Sequence, residues 1–269
     1  MIPVLRWTLW QRRWSILWWS VGVFALIFLN LVFYPSFRDQ AAELQKSFEN
    51  LPDAAVQLFG GSTDFFSPIG FLNSQVFFLM LPLLLGMLAI GMGSSLLARE
   101  EQDMTIETLL ARQVSRTNLL VAKGLAGFII LSIVTIAGLV TTLVVGKFVD
   151  LDVSTLSVTL ATLDCFLLVL SFGAVAFVLS AIGKARGASL GIASLVAIGG
   201  YLVSSLAGTV DWLKAPSKIF PFHYYQPEAV LRETYNWNRR PVRRERSIPR
   251  NTAAARLTRR MFPSGFSMK

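Results

Sequence analysis

The sequence has almost none of the two side chains that most often bind zinc. Its 269 residues include one cysteine, Cys165, and one histidine, His223. A single cysteine excludes a disulfide within the chain, and one cysteine with one histidine cannot build a zinc site of the usual ligand sets. The metalloprotease motif His-Glu-x-x-His needs two histidines and is excluded as well. We therefore expect no metal centre.

Charged residues are also scarce, at 15% of the chain, whereas hydrophobic residues make up 54% and the mean hydropathy is +0.56. Soluble domains usually contain about 25% charged residues. This composition excludes an ordinary soluble globular protein. Because disordered chains are poor in hydrophobic residues, it also excludes disorder for most of the chain.

The sequence motif for nucleotide binding is missing too. The P-loop pattern G-x-x-x-x-G-K-[ST] does not occur, because Gly146-Lys147 and Gly183-Lys184 lack both the earlier glycine and the following Ser or Thr. Residues 187–191, GASLG, have the spacing of the G-x-S-x-G elbow of α/β-hydrolases, but they begin an apolar run of membrane-span length and do not follow a strand, as that elbow requires. We therefore predict that this chain is not an enzyme and binds no cofactor of its own.

Five uncharged, apolar runs are long enough to cross a membrane. A helix needs about 20 apolar residues to span the hydrocarbon core, and these runs lack the alternation typical of β-barrel strands. We predict an all-α, polytopic membrane protein with spans at about residues 14–33, 71–97, 124–146, 163–183 and 187–210. The first run is too long for the apolar region of a signal peptide, so we expect it to be a retained anchor.

The distribution of Lys and Arg between the loops predicts the orientation of these spans. The N-terminal segment and the second and fourth loops are basic, with Arg6, Arg12, Arg13, Arg99, Arg112, Arg116, Lys123, Lys184 and Arg186. The other two loops are acidic on balance. Because cytoplasmic loops carry the excess of Lys and Arg, we predict a cytoplasmic N-terminus.

The residues before the first span form an amphipathic pattern. Its apolar, aromatic and basic members are Ile2, Leu5, Leu9, Trp7, Trp10, Trp14, Arg6, Arg12 and Arg13. Such a segment is typical of a helix that lies in the membrane interface. An ordinary aromatic belt with positive charge on the cytoplasmic side fits nearly as well.

Four polar residues in or near the spans are candidates for lining a translocation path: Asn30, Asn73, Gln75 and Asp164. An acid inside a membrane is usually functional. However, the uncharged run from Cys165 to Gly183 nearly fills a span, which favours Asp164 at a hydrated helix end. For the other three residues, placement at the membrane interface is the simpler interpretation.

Three glycines recur at four-residue intervals where the fifth span begins: Gly183, Gly187 and Gly191. Small residues at that spacing allow two helices to approach closely. The pattern favours packing within the subunit over contact between two subunits.

The loop between the second and third spans, residues 99–123, has the strongest local pattern. Thr105 is a plausible N-cap, and Leu109 and Leu110 lie on one face of the helix that follows. Ser115 is placed to cap the next helix, which runs into the third span. A short amphipathic helix here suits either docking of a soluble partner or a connector on the membrane surface.

This loop resembles that of type-2 ABC transporter permeases, which reads R-E-x-E-x-G-T-[LI]-E-x-L-L-A-x-P-[VI]-S-R before a Lys at the start of a span. The matching residues are Arg99, Glu100, Thr105, Glu107, Leu109, Leu110, Ala111, Val114, Ser115, Arg116 and Lys123. Met104 and Gln113 stand where the family usually has Gly and Pro. The N-terminal segment and residues 220–225 are also similar, and the resemblance covers about residues 1–237.

The resemblance implies a bacterial inner-membrane permease that works with a second permease subunit and a separate P-loop ATPase, which binds the ATP. It implies that the loop contacts the ATPase through Glu100, Thr105, Glu107, Leu109, Leu110, Arg112, Ser115 and Arg116. It further implies export, for which the apolar spans favour a lipophilic substrate. The alternative is a membrane anchor or assembly subunit that recruits a cytosolic partner without transporting anything.

The net charge of +9 resides entirely in the C-terminal tail. Residues 1–237 contain fifteen Lys/Arg and fifteen Asp/Glu, whereas residues 238–269 contain ten Lys/Arg and one acid, Glu245. Permeases of this family normally have a sixth span here, but the tail has no apolar run and is predicted to be disordered. Three explanations of this tail are open. It could bind anionic lipid, it could bind nucleic acid although it lacks any recognisable module, or it could result from a frame shift near residues 236–240. The frame shift is the favoured hypothesis, and nucleic acid is the least favoured partner.

Overall fold

The structure is a computed structural model that describes residues 2–39, 67–97, 115–151, 153–183 and 185–232. All regular structure in these ranges is helical. The N-terminal part consists of helices Ile2–Gln11, Arg13–Val32, Tyr34–Asp39, Pro68–Leu72, a π-helix Asn73–Phe77, and Met80–Ser95. The remainder consists of Arg116–Phe148, Thr155–Ala181, Arg186–Leu206, Lys214–Ser217, Pro227–Leu231 and the short 3₁₀ turns Asp211–Leu213 and Pro221–His223.

Within the described residues, five helical stretches are long and apolar enough to cross a membrane, so the predicted all-α fold with five spans is confirmed. In chain order, these spans one to five are Arg13–Ser36, Pro68–Ser95, Thr117–Phe148, Thr155–Ala181 and Arg186–Leu206. Spans three and four begin earlier than the apolar runs suggested. The uncharged runs stop at Lys123 and Asp164, whereas both residues lie inside their helices, which continue past them to Arg116 and Thr155.

Spans two and four form the most extensive helix contact in the described part of the chain, and glycine makes it close. A Cβ atom on Gly93 would overlap the carbonyl oxygen of Gly173, and one on Gly173 would lie 3.1 Å from the Cβ of Ala89. Small residues let the two backbones approach, which is how helices gain van der Waals contact in lipid. The backbones of these two spans are therefore in direct contact at the level of Gly93.

Span one packs against span three at a second glycine. A Cβ on Gly138 would lie 3.0 Å from Val23 and 3.5 Å from Ile27. The N-terminal helix Ile2–Gln11 also packs against span three. Near the other end of span one, the ring of Tyr34 lies 4.9 Å from that of Phe71, which joins the end of span one to the start of span two.

Span five does not use its glycine spacing inside the described bundle. A Cβ on Gly187 or Gly191 would meet nothing within 4 Å, while the buried face of this helix is formed by Ser189, Ala193 and Gly200. The expectation that these glycines pack within the subunit is therefore wrong. Small-residue spacing marks a face that permits close contact, but it does not say which helix supplies the contact.

Span two is broken near one end. The π-helix Asn73–Phe77 ends with a bond from the Phe78 N–H to the Asn73 carbonyl, 2.7 Å long, and the regular α-helix resumes at Met80. Pro82 has no N–H to donate to the carbonyl four residues earlier, and its ring crowds that carbonyl. The proline accounts for the interruption at this position.

After span five, residues 207–232 turn back onto the bundle, and we call them the return segment. Its 3₁₀ turn Pro221–His223 packs on spans four and five, and its helix Pro227–Leu231 packs on span four and on both helical pieces at the start of span two. The Phe220 ring lies against Gly200, where a Cβ would come within 2.8 Å of it. The Phe222 ring contacts Phe172 and Tyr201 at 5.5 and 5.6 Å between centroids.

Candidate functional site

The residues predicted to contact an ATPase fall mainly in the loop at one end of the bundle. Glu100, Thr105, Glu107, Leu109, Leu110 and Arg112 lie outside the described residues. Ser115 and Arg116 lie at the start of the helix Arg116–Phe148. The Ser115 hydroxyl accepts a hydrogen bond of 3.3 Å from the Asn118 N–H, which confirms Ser115 as the N-cap of this helix.

A side-chain bond ties the N-terminal segment to the helix that leads into this loop. The guanidinium Nη2 of Arg12 donates to the hydroxyl of Ser95, 3.2 Å away, and Ser95 is buried. Ser95 is the last residue of span two, and the loop follows it directly. Since the N-terminal helix packs on span three, and Arg12 directly after it bonds to span two, the N-terminal segment contacts the two helices between which the loop runs.

The start of span three is tightly packed at the same end. A Cβ on Gly127 would lie 3.0 Å from a methyl carbon of Leu96. Lys123, which matches the family's lysine, is only 3% exposed and is engaged with a partner. A buried ammonium group is costly unless it is paired, so Lys123 is a structural element of this end rather than a free surface charge.

A second polar group lies at the opposite end of span two, around Asp164. Span four begins at Thr155, so Asp164 lies nine residues inside the helix and not at its end. Its carboxylate lies close to the Gln226 backbone, and Oδ2 is buried with no hydrogen-bond partner among the described residues. The expected hydrated helix end is therefore wrong, because the uncharged residues before Asp164 extend the helix.

Tyr225 joins the return segment to the break in span two. Its phenol donates a hydrogen bond to the backbone carbonyl of Phe77 and lies close to the thiol of Cys165. Burial, reinforced by Cys165 and Asp164 nearby, raises the pKa of Tyr225 well above its ordinary value. The phenol therefore stays protonated at neutral pH and remains a donor.

The other three path candidates have different surroundings. Asn73 is the first residue of the π-helix and is 1% exposed, and its Oδ1 has no hydrogen-bond partner among the described residues. Gln75 lies in the same π-helix and is half-buried. Asn30 donates to the Leu26 carbonyl of its own helix at 2.8 Å. The structure thus places Asn73 and Gln75 in the element that Tyr225 contacts, while the Asn30 amide bonds within span one.

Sequence reasoning missed the residues that connect this group, namely Phe77, Cys165, Tyr225 and Gln226. Two of the connections use backbone atoms, which no side-chain pattern reveals. The one available signal was Pro82 within an apolar run, because a proline inside a helix predicts a break one turn earlier.

Comparison with known proteins yields one match. A family model described as ABC-2 family transporter protein matches residues 11–237, which include all five spans, the loop at 99–123 and the return segment. No curated protein and no solved structure shows a significant match to the chain.

Proposed function

The chain belongs to the ABC-2 family of transporter proteins, and from that premise we propose that it is the membrane-spanning permease subunit of an ATP-driven exporter. The family match over residues 11–237 is the observation that carries the proposal. The membrane components of this family are transporters, and the chain is a multi-pass membrane protein. We propose that it catalyses no reaction itself and that a separate P-loop ATPase binds the ATP.

The proposed orientation places the N-terminus and the loop 99–123 in the cytoplasm of a bacterium with the chain in its inner membrane. The excess of Lys and Arg in the N-terminal segment and the alternate loops supports this arrangement. The Arg12–Ser95 bond then lies on the ATPase side, and the group around Asp164 and Tyr225 lies on the side where a substrate leaves.

The proposed mechanism is alternating access driven by the partner ATPase. Closure of the ATPase moves the loop, and the loop begins next to Ser95, which Arg12 ties to the N-terminal helix. Span two passes the movement on to span four, because Gly93 and Gly173 hold them in backbone contact. Beyond Met80 the break in span two lets its other end, Pro68–Phe77, respond separately.

We propose a lipophilic substrate and a complex of two permease subunits with two ATPase subunits. The lipophilic class is supported by the composition of the spans, whose polar side chains are few and mainly uncharged. Asn73, Gln75 and Asp164 are the residues proposed to lie along the path, at the end where span two is broken.

Purification of the tagged full-length chain from its native membrane tests the proposal. The proposal predicts that a P-loop ATPase co-purifies and that the complex hydrolyses ATP in a vanadate-sensitive manner. Glu107→Ala should lower this activity, whereas Glu49→Ala, in the loop predicted to lie on the other side, should leave it unchanged. An ATPase that co-purifies with a complex that neither hydrolyses ATP nor moves any compound would favour the anchor instead.

A further inference from the structure

The break in span two separates a piece that is fixed to span four from a piece that is not. The long piece, Met80–Ser95, is held by the close contact of Gly93 with Gly173. The short piece, Pro68–Phe77, is joined to it through Leu79, whose backbone is not helical, at φ −126° and ψ −50°. Because Pro82 also removes a hydrogen bond across this point, the junction is weaker than a continuous helix.

The return segment supplies contacts that hold the short piece in place. The Tyr225 phenol binds the Phe77 carbonyl, and the helix Pro227–Leu231 packs on Pro68–Leu72 and on the π-helix. On its other side the return segment packs on span four, where the Phe222 ring lies 5.5 Å from that of Phe172 and Tyr225 lies close to Cys165. The segment therefore bridges the loose end of span two to span four.

We propose that Tyr225 is a positioning residue of the transport cycle, whose bond to the Phe77 carbonyl holds the return segment closed over the break in span two and opens when substrate is released. This inference rests on the proposed permease function. It goes further by assigning the gating step to a named bond, to a hinge between Phe77 and Met80, and to a moving element, residues 220–232.

The chain contains its own reporter for this movement. Cys165 is the single cysteine of the sequence, is fully buried, and lies close to the Tyr225 phenol, whose bond to the Phe77 carbonyl we call the latch. When the return segment lifts, the thiol becomes accessible to a membrane-permeant maleimide. The rate at which Cys165 is labelled, in membrane vesicles that contain the complete complex, therefore reports opening of the latch, and no cysteine has to be introduced. The Cys165→Ser variant gives the background labelling.

In the resting complex, Tyr225→Phe should increase the rate of Cys165 labelling roughly tenfold, because the buried Phe77 carbonyl loses its partner in the closed state. Tyr224→Phe is the matched control, since Tyr224 is exposed and its phenol donates to the Lys218 carbonyl, 3.1 Å away, within the return segment. Its labelling rate should equal that of the unaltered chain. Equal rates for the two variants would overturn the proposal.

A second pair of variants keeps the test decisive if Tyr225→Phe fails to fold. Leu231→Ala truncates a buried side chain of the helix that packs on span four and on the start of span two, and it should label faster, whereas Gln226→Ala changes an exposed side chain beside Tyr225 and should label slowly. Hydrogen exchange at residues 220–232 provides a readout independent of thiol reactivity. Faster labelling without faster exchange there would mean that only the chemistry of the thiol had changed, which contradicts the latch.

Trapping the complex with vanadate separates this inference from the proposed function. The latch predicts faster Cys165 labelling in the trapped complex than at rest. Vanadate-sensitive ATP hydrolysis without any change in labelling would overturn the latch and leave the permease function standing. Absence of vanadate-sensitive hydrolysis would overturn the proposed function and, with it, the gating role of Tyr225.

Discussion

Gly93 of span two and Gly173 of span four lie so close that a Cβ atom on Gly93 would overlap the Gly173 carbonyl oxygen. No side chain separates the two backbones at this point. A larger residue at Gly93 would meet backbone atoms, which cannot be moved aside by rotating a side chain. The two glycines therefore set the distance between the two spans. The proposed transmission from the loop to the far end of the bundle depends on this contact.

Gly93→Ala should therefore destabilise the bundle, by about 1–3 kcal/mol, since the two backbones must move apart. Gly91→Ala is the matched control, two residues away in the same helix, where a Cβ would meet nothing within 4 Å. It should leave stability unchanged or raise it by up to about 1 kcal/mol, because alanine favours a helix. The thermal unfolding midpoints of the two variants in detergent distinguish these outcomes, and similar midpoints would contradict the close approach.

A second pair of neighbouring glycines tests how the return segment is seated. Gly200→Ala places a methyl group 2.8 Å from the Phe220 ring, whereas Gly199→Ala points into open space. Because the ring can shift, we expect a smaller loss for Gly200→Ala, of about 1 kcal/mol. Limited proteolysis between residues 207 and 232 should become faster in that variant alone. Equal cleavage of both variants would mean that Phe220 does not fix the segment.

The bond between Arg12 and Ser95 predicts a loss of coupling when either partner is removed. Ser95→Ala leaves the guanidinium without this acceptor and should cost about 1 kcal/mol. Arg12→Ala should cause a smaller loss of ATP-dependent activity in the Ser95→Ala variant than in the unaltered chain, since the bond between the two residues can be lost only once. Ser132→Ala serves as the control, because Ser132 is half-buried and its hydroxyl donates to the Phe128 carbonyl of its own helix. Fully additive effects of Arg12→Ala and Ser95→Ala would contradict the bond.

Removal of the Ser115 hydroxyl, which caps the start of span three, should destabilise the protein. Ser115→Ala removes the acceptor for the Asn118 N–H and should lower the free energy of unfolding by about 1 kcal/mol, whereas Ser115→Asp keeps an acceptor and should retain most of it. Thermal unfolding of the two variants measures the difference. A result in which aspartate is as harmful as alanine would show that the hydroxyl acts otherwise than as a cap.

The membrane-spanning part of the fold was predictable, because uncharged runs of about 20 residues have few alternatives to a membrane helix. Ser115 was predictable as well, since an N-cap is a local signal. The position of Asp164 was not, because counting uncharged residues locates the apolar stretch and not the helix start at Thr155. The latch was not predictable for a different reason, because the Tyr225 phenol donates a hydrogen bond to the backbone carbonyl of Phe77, which is far away in sequence.

The glycines of span five show the same limit. Their spacing correctly indicated a face suited to close contact, yet Gly187 and Gly191 face open space in the described bundle. Which face of a helix is buried inside the subunit depends on how the other spans pack. A single sequence does not contain that information in a form that spacing can reveal.

The central claim is that an ATPase on a separate chain drives transport through this permease. The most direct test is ATP-dependent uptake of a panel of lipophilic compounds into inside-out vesicles that contain the complete complex. We predict uptake that requires ATP, is blocked by vanadate and is strongly reduced by Glu107→Ala, with the amount of complex unchanged. Normal uptake in the Glu107→Ala complex would contradict the assigned coupling loop, and no uptake of any compound by an active ATPase complex would contradict the claim itself.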